Sequence, residues 1–148
     1  MSPISSSLHD ETTFYHAFLK DLAQCKHEVI IESPFITSER MSTLWLTFRA
    51  LYNRGVKIVI ITRDPREHTE GYTEQSETEI QALEALGIQV FLCTGNHHRK
   101  LAILDRRILW EGSLNILSQL HSREIMRRLD GGGFAGDMYQ FLHLGRYI

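Results

Sequence analysis

Between Asp10 and Lys26 the apolar residues Phe14, Phe18, Leu19 and Leu22 recur at helical spacing, which predicts an amphipathic helix with Asp10 or Thr12 as its N-cap. The β-branched run Val29-Ile30-Ile31 follows, closed by Ser33-Pro34, where proline has no N–H for a ladder, so a buried strand ends there. Met41, Leu44, Trp45, Phe48, Leu51 and Tyr52 return to helical spacing until Gly55 stops the helix. "VKIVIITR" reads as a second buried strand, and a polar, acidic loop leads to a helix through Ile80, Leu83 and Leu86 that ends at Gly87. "IQVFLCT" is a third strand. "KLAILD" and "RILWEG" form a hairpin joined at Asp105-Arg106-Arg107, and "SLNILSQLHSREIMRRL" is a turn followed by a helix or a final strand.

This alternation predicts an α/β domain, a mixed and mostly parallel β-sheet with helices on both faces. The domain is expected over residues 1–130, with residues 131–148 as a Gly-rich linker, Gly131 to Gly133, and a C-terminal tail or helix. Length and apolar content suit one core. A formal charge of -2 gives no global attraction to polyanions, so contact with one needs a local basic patch. Cys25 and Cys93 are too few and too far apart for a disulfide framework or a zinc ribbon. No apolar run approaches ~20 residues and no signal peptide is visible, which predicts a soluble, cytoplasmic protein without a membrane partner.

The hairpin carries the chemistry. Side chains alternate along a strand, so His98, Lys100 and Ala102 share one face, and Leu101 and Ile103 the other. An imidazole beside an ammonium suits a site that binds an anion and attacks it. Ser113 and Asn115 are also two apart and would offer a hydroxyl and an amide to one volume if the chain stays extended, with Gly112 permitting close backbone approach. A nucleophile, a cation and neutral donors are what transfer at phosphorus needs. Cys93, His97 and His98 would supply only three metal ligands, two of them diverging, so no metal or cofactor is expected. Glu32 and Ser33 fall at the end of an inner strand, where they would line a pocket or, for Ser33, begin a turn. Trp110 reads as core rather than as a base-stacking surface.

The spacing His98-x-Lys100-x4-Asp105-x6-Gly112-Ser113-x-Asn115 resembles the His-Lys-Asp signature of the phospholipase D superfamily. The text "GSLNILS…REIMRR" is most similar to its single-motif nuclease domains, some of them attached to helicase or ATPase modules. The resemblance implies a phospholipase D-like fold and a phosphodiesterase, specifically a metal-independent nuclease acting through a covalent phosphohistidine. By motif position it makes His98 the nucleophile, lets Lys100 and Asn115 bind phosphate oxygens with support from Ser113, and leaves Asp105 a structural hydrogen-bonding role. It makes Glu124 the carboxylate that orients the imidazole. The family uses two motif copies, the second histidine serving as general acid, whereas this chain has one. The resemblance therefore implies a homodimer with a shared active site.

Arg99, Arg106, Arg107 and Arg123 are candidates for contact with nucleic acid, DNA rather than RNA. The alternatives are a phospholipid hydrolase or transferase, a non-catalytic DNA-binding or dimerisation module beside a motor subunit, or a fragment of a larger protein.

Overall fold

The computed structural model describes residues 4–69 and 71–148. Its strands are β1 (Ser5–Asp10), β2 (Glu28–Glu32), β3 (Lys57–Arg63), β4 (Gln89–Cys93), β5 (Leu101–Leu104), β6 (Ile108–Gly112) and β7 (Ile125–Asp130). The helices are α1 (Phe14–Ala23), α2 (Ser38–Met41), α3 (Trp45–Asn53), α4 (Tyr72–Leu86) and α5 (Phe134–Phe141), with short 3-10 turns at Pro65–Glu67 and Leu144–Tyr147. The strands form one sheet in the order β1-β7-β6-β5-β2-β3-β4.

The sheet is mixed, as expected, but antiparallel pairings outnumber parallel ones. Only β2 with β3 and β3 with β4 run parallel. The β2–β5, β5–β6, β6–β7 and β7–β1 pairs are antiparallel. Parallel neighbours need a long crossover, here α2 with α3 and then α4, whereas β5 returns through a tight turn. Asp105 and Arg106 there have φ of 52° and 51°, and the Arg107 N–H donates to the Leu104 carbonyl at 3.0 Å, a tight turn within the three-residue connection between the paired Leu104 and Ile108. β1 precedes the first helix, in a Ser-rich segment where the hydrophobic pattern predicts no element. Ser5, Ser6 and Ser7 give it no apolar stripe, and it is a strand because β7 supplies a ladder from Ser5↔Asp130 to Asp10↔Ile125.

Alternation along the strands builds two cores. Val29, Ile31, Ile58, Ile60, Ala102 and Trp110 face α1 to α4 and pack with Phe14, Phe18, Met41, Phe48 and Leu83. Ile30, Val59, Ile61, Leu101, Ile103 and Leu109 face the other way. The helical run after Ser38 is broken into α2 and α3, with Thr37 capping α2 by accepting from the Arg40 N–H. The chain from Gly131 onward, expected as a linker and a terminal helix, passes three left-handed glycines and lays α5 on the second face. There Ala135, Leu142 and Leu144 close the core. At one edge of this sheet β2, β3, β4 and β6 end and β5 and β7 begin. Ligands of open α/β sheets bind at such an edge.

Candidate active site

His98 and Lys100 stand just before β5 on this edge. Lys100 Nζ lies 2.6 Å from His98 Nδ1 and donates to the His98 carbonyl oxygen at 2.6 Å. Partial burial, then the Lys100 cation, Arg63 and His97 hold the His98 imidazole below its ordinary pKa, so the ring is neutral near pH 7. Burial also lowers the pKa of Lys100, against the opposing pull of Glu124. While the ammonium donates to Nδ1, the neutral ring carries its proton on Nε2. An anion that draws Lys100 away frees Nδ1.

Gly112 and Ser113 close the site from β6. A Cβ on Gly112 would overlap the Ile125 carbonyl oxygen and stand 2.8 Å from Met126 Sδ, so only glycine lets β7 approach there. Ser113 Oγ accepts from the Ile125 N–H at 3.0 Å. The nearby Ser122 and Ser113 hydroxyls, with the Lys100 charge, keep the Glu124 carboxylate below the usual range. Among the described residues no hydrogen bond joins Glu124 to His98, and the charge of Glu124 is felt at Lys100. After Gly112 the chain leaves the strand, so the parity expected for Ser113 and Asn115 lapses. Ser113 faces a cleft with Asp10, Glu11, Arg123 and Glu124, and Asn115 faces another with Phe35 and Tyr72. Asn115 Oδ1 is buried without a hydrogen-bond partner among the described residues.

Asp105 sits at the far end of β5 from Lys100, roughly 17 Å away at strand rise. Its carboxylate accepts the N–H groups of Lys26, His27 and Glu28 at 2.9, 2.8 and 2.9 Å. Burial works to raise its pKa, but these three bonds outweigh it and hold the carboxyl below the ordinary value. Arg106 and Arg107 share that distant end, paired with Glu28 and Asp130 at 3.0 and 2.8 Å. Of the arginines expected to meet nucleic acid, Arg123 lies beside the site in the Ser113 cleft, and Arg99 points to the opposite face, 3.9 Å from Glu32. Trp110 is core, its indole N–H donating to Asp21 at 2.9 Å.

Sequence reading missed Phe35, Arg63 and Glu67. Phe35 stands edge-on to His98, ring centroids 6.3 Å apart, and stacks obliquely on His68 at 4.9 Å. Arg63 ends β3, and strand-end position at this edge was the signal available for it. Glu67 accepts the N–H groups of Gly95 and Asn96 and pairs with Arg63 at 3.2 Å. It ties down the loop that presents His98. On the other face the Glu32 carboxylate is 1% exposed, with His97 Nε2 2.8 Å from Oε1 but out of line for a hydrogen bond. Ser33 is buried and structural, accepting from the Leu117 N–H and donating to the Phe35 carbonyl.

The profile of the family described as "Cardiolipin synthase, PLD-like domain" matches residues 18–135. No curated protein sequence matches the chain. Among solved structures, Nuc from Salmonella typhimurium, described as a phospholipase D family member, superposes with a TM-score of 0.76 at 16% identity, covering 98% of this chain and 95% of its own. NucT from Helicobacter pylori gives a TM-score of 0.71 at 18% identity, with coverage of 94% and 93%. Phosphatidylserine synthase from Haemophilus influenzae gives 0.70 at 15%, covering 95% of this chain and 37% of that longer one.

Proposed function

The chain belongs to the phospholipase D-like domain family and is a phosphodiesterase of that family; from this premise we propose that it is a metal-independent nuclease, acting on DNA in preference to RNA through a phosphohistidine. The observation that carries this reading is the neutral, exposed His98 imidazole in contact with the Lys100 ammonium, on an open sheet edge near Arg63.

A phosphodiester oxygen draws Lys100 from His98, and the Asn115 amide and Ser113 hydroxyl help to hold the oxygens. The ring nitrogen attacks phosphorus; the P–N bond forms as the P–O bond to the leaving strand breaks, and the leaving oxygen takes a proton from an acid. Water then attacks phosphorus, gives its proton to that same group, and releases a phosphate monoester and free His98. The sequence carries the motif once, so the acid is the protonated His98 of a second copy across a two-fold axis, and turnover needs one ring of the pair neutral and the other charged. The family's description keeps the same chemistry on a phospholipid headgroup as a second reading.

The test is cleavage of labelled single- and double-stranded DNA in excess EDTA by wild type and His98→Ala, with a phospholipid control. Loss of cutting with His98 is expected. Cutting that survives the substitution or depends on added metal refutes the phosphohistidine, and lipid hydrolysis without DNA cleavage supports the second reading. Light scattering on the active species is expected to give a dimer, and a fully active monomer refutes the shared site.

A further inference from the structure

Two clefts flank the site, and they differ in lining. The one beyond Ser113 presents Asp10, Glu11 and Glu124 against the single cation Arg123, a surface that repels a phosphate chain. The other, about 460 Å³, begins at Asn115 and Phe35 and runs between the start of α4 and the turn after Asn115. Its lining includes Phe35, Thr37, Thr69, Tyr72, Asn115 and His121. Its size is that of a small-ligand site.

This cleft is continuous with the reacting centre at two residues. Asn115 belongs to the motif, and its buried Oδ1 lacks a partner among the described residues. Phe35 stands edge-on to His98. At the far wall Tyr72 is 53% exposed at the first turn of α4, and Leu120 is 43% exposed. Arg40 braces the polar wall from behind, donating to the Gln119 carbonyl at 3.0 Å and lying 3.6 Å over the Tyr15 ring. An aromatic wall with amide and imidazole groups beside it, next to a phosphate site, describes a place for a nucleobase.

We propose that this cleft binds the unpaired base next to the scissile phosphate, Tyr72 stacking on it. The inference rests on the nuclease reading and adds the direction in which the strand leaves the site, away from the acidic cleft. A base paired in a duplex is inaccessible to the cleft unless it is flipped out, at a cost of a few kcal/mol. The site therefore prefers single strands or frayed ends.

The test uses a dinucleoside monophosphate, which has one cleavable bond, and its two analogues that lack the base on one side or the other. Stacking of one base contributes about 1–3 kcal/mol, so wild type is expected to cleave the complete substrate roughly 5- to 150-fold faster in kcat/KM than one of the abasic analogues. In Tyr72→Ala that ratio is expected to fall close to one, and in Tyr72→Phe, which keeps the ring, to persist. A wild-type ratio near one for both analogues, or a ratio unchanged in Tyr72→Ala, overturns the base site while leaving the nuclease intact. Failure of wild type to cleave any of the three, with lipid hydrolysed instead, overturns the nuclease reading and the base site with it.

Discussion

Asp105→Asn separates folding from chemistry within the motif. The carboxylate takes three backbone N–H groups from residues 26–28, two on Oδ1 and one on Oδ2. Asparagine keeps the shape and tolerates the left-handed φ of 52°, so the turn itself is not strained. Its oxygen can retain the His27 and Glu28 bonds at neutral strength, but its NH₂ meets the Lys26 N–H donor to donor. A bond to a charged acceptor contributes about 1.5–3 kcal/mol and a neutral one about 0.5–1.5 kcal/mol. One bond lost and two weakened, partly offset by water at this half-exposed site, give a loss of about 2–4 kcal/mol. For a chain of this size that lowers Tm by roughly 5–15 °C.

The pH dependence follows from the lowered carboxyl. With a folded pKa below the ordinary 3.8, the stabilisation is complete above about pH 4 and is lost as pH falls through the folded value. The Tm gap between wild type and Asp105→Asn is therefore expected to narrow on acidification, read by thermal melts at pH 7 and pH 3. kcat/KM on a DNA substrate, measured well below both melting points, is expected to stay within a few-fold of wild type. An unchanged melt together with lost turnover would refute a structural role for Asp105.

Further outcomes follow from the site and the core. The acid limb of kcat/KM is expected below pH 6.5, because burial, Lys100, Arg63 and His97 all favour the neutral His98 ring; in Lys100→Met the limb should move up while the rate falls by about 10²–10³-fold, and a limb above 6.5 in wild type would contradict this. Gly112→Ala is expected to cost about 1–3 kcal/mol by forcing β6 from β7, read as a shift in the denaturant midpoint. Asp21→Ala deprives the buried Trp110 N–H and Arg128 of their shared acceptor and is expected to destabilise by about 1–3 kcal/mol, again by denaturant titration, with activity per folded molecule retained.

The motif strand and the two-sided core were legible because alternation and helical spacing are local signals. Ala102 does face one core, and Leu101 and Ile103 the other. β1 was not legible, since three serines and a His-Asp end carry no apolar stripe and the strand depends on a partner more than 110 residues away, as the Ser5↔Asp130 pairing illustrates. The excess of antiparallel pairing was hidden for a similar reason. Element order is visible in sequence, but β5 docking against β2 is not. At the site, the spacing put His98 and Lys100 on one face, as their 2.6 Å contact bears out, but it gave no sign that Asn115 turns into a separate cleft. Nor did it show that Arg106 and Arg107, adjacent in sequence to Asp105, are spent on Glu28 and Asp130 at the far end of the sheet.

Glu67 gives the nucleophile's loop an unusual anchorage. Between Cys93 and Leu101 the chain leaves the ladders, and Gly95 and Asn96, at φ of 88° and 60°, are moored through their N–H groups to one carboxylate. Those bonds, with help from Arg63, keep that carboxylate ionised below its ordinary range. The loop therefore has a local opening equilibrium of its own, separate from global unfolding, and its two amides are the place to observe it. Protection of the Gly95 and Asn96 amides, taken relative to the intrinsic exchange rate at each pH, should fall in acid before that of the β5 strand amides, so the alignment of His98 loosens while the sheet behind it stays closed.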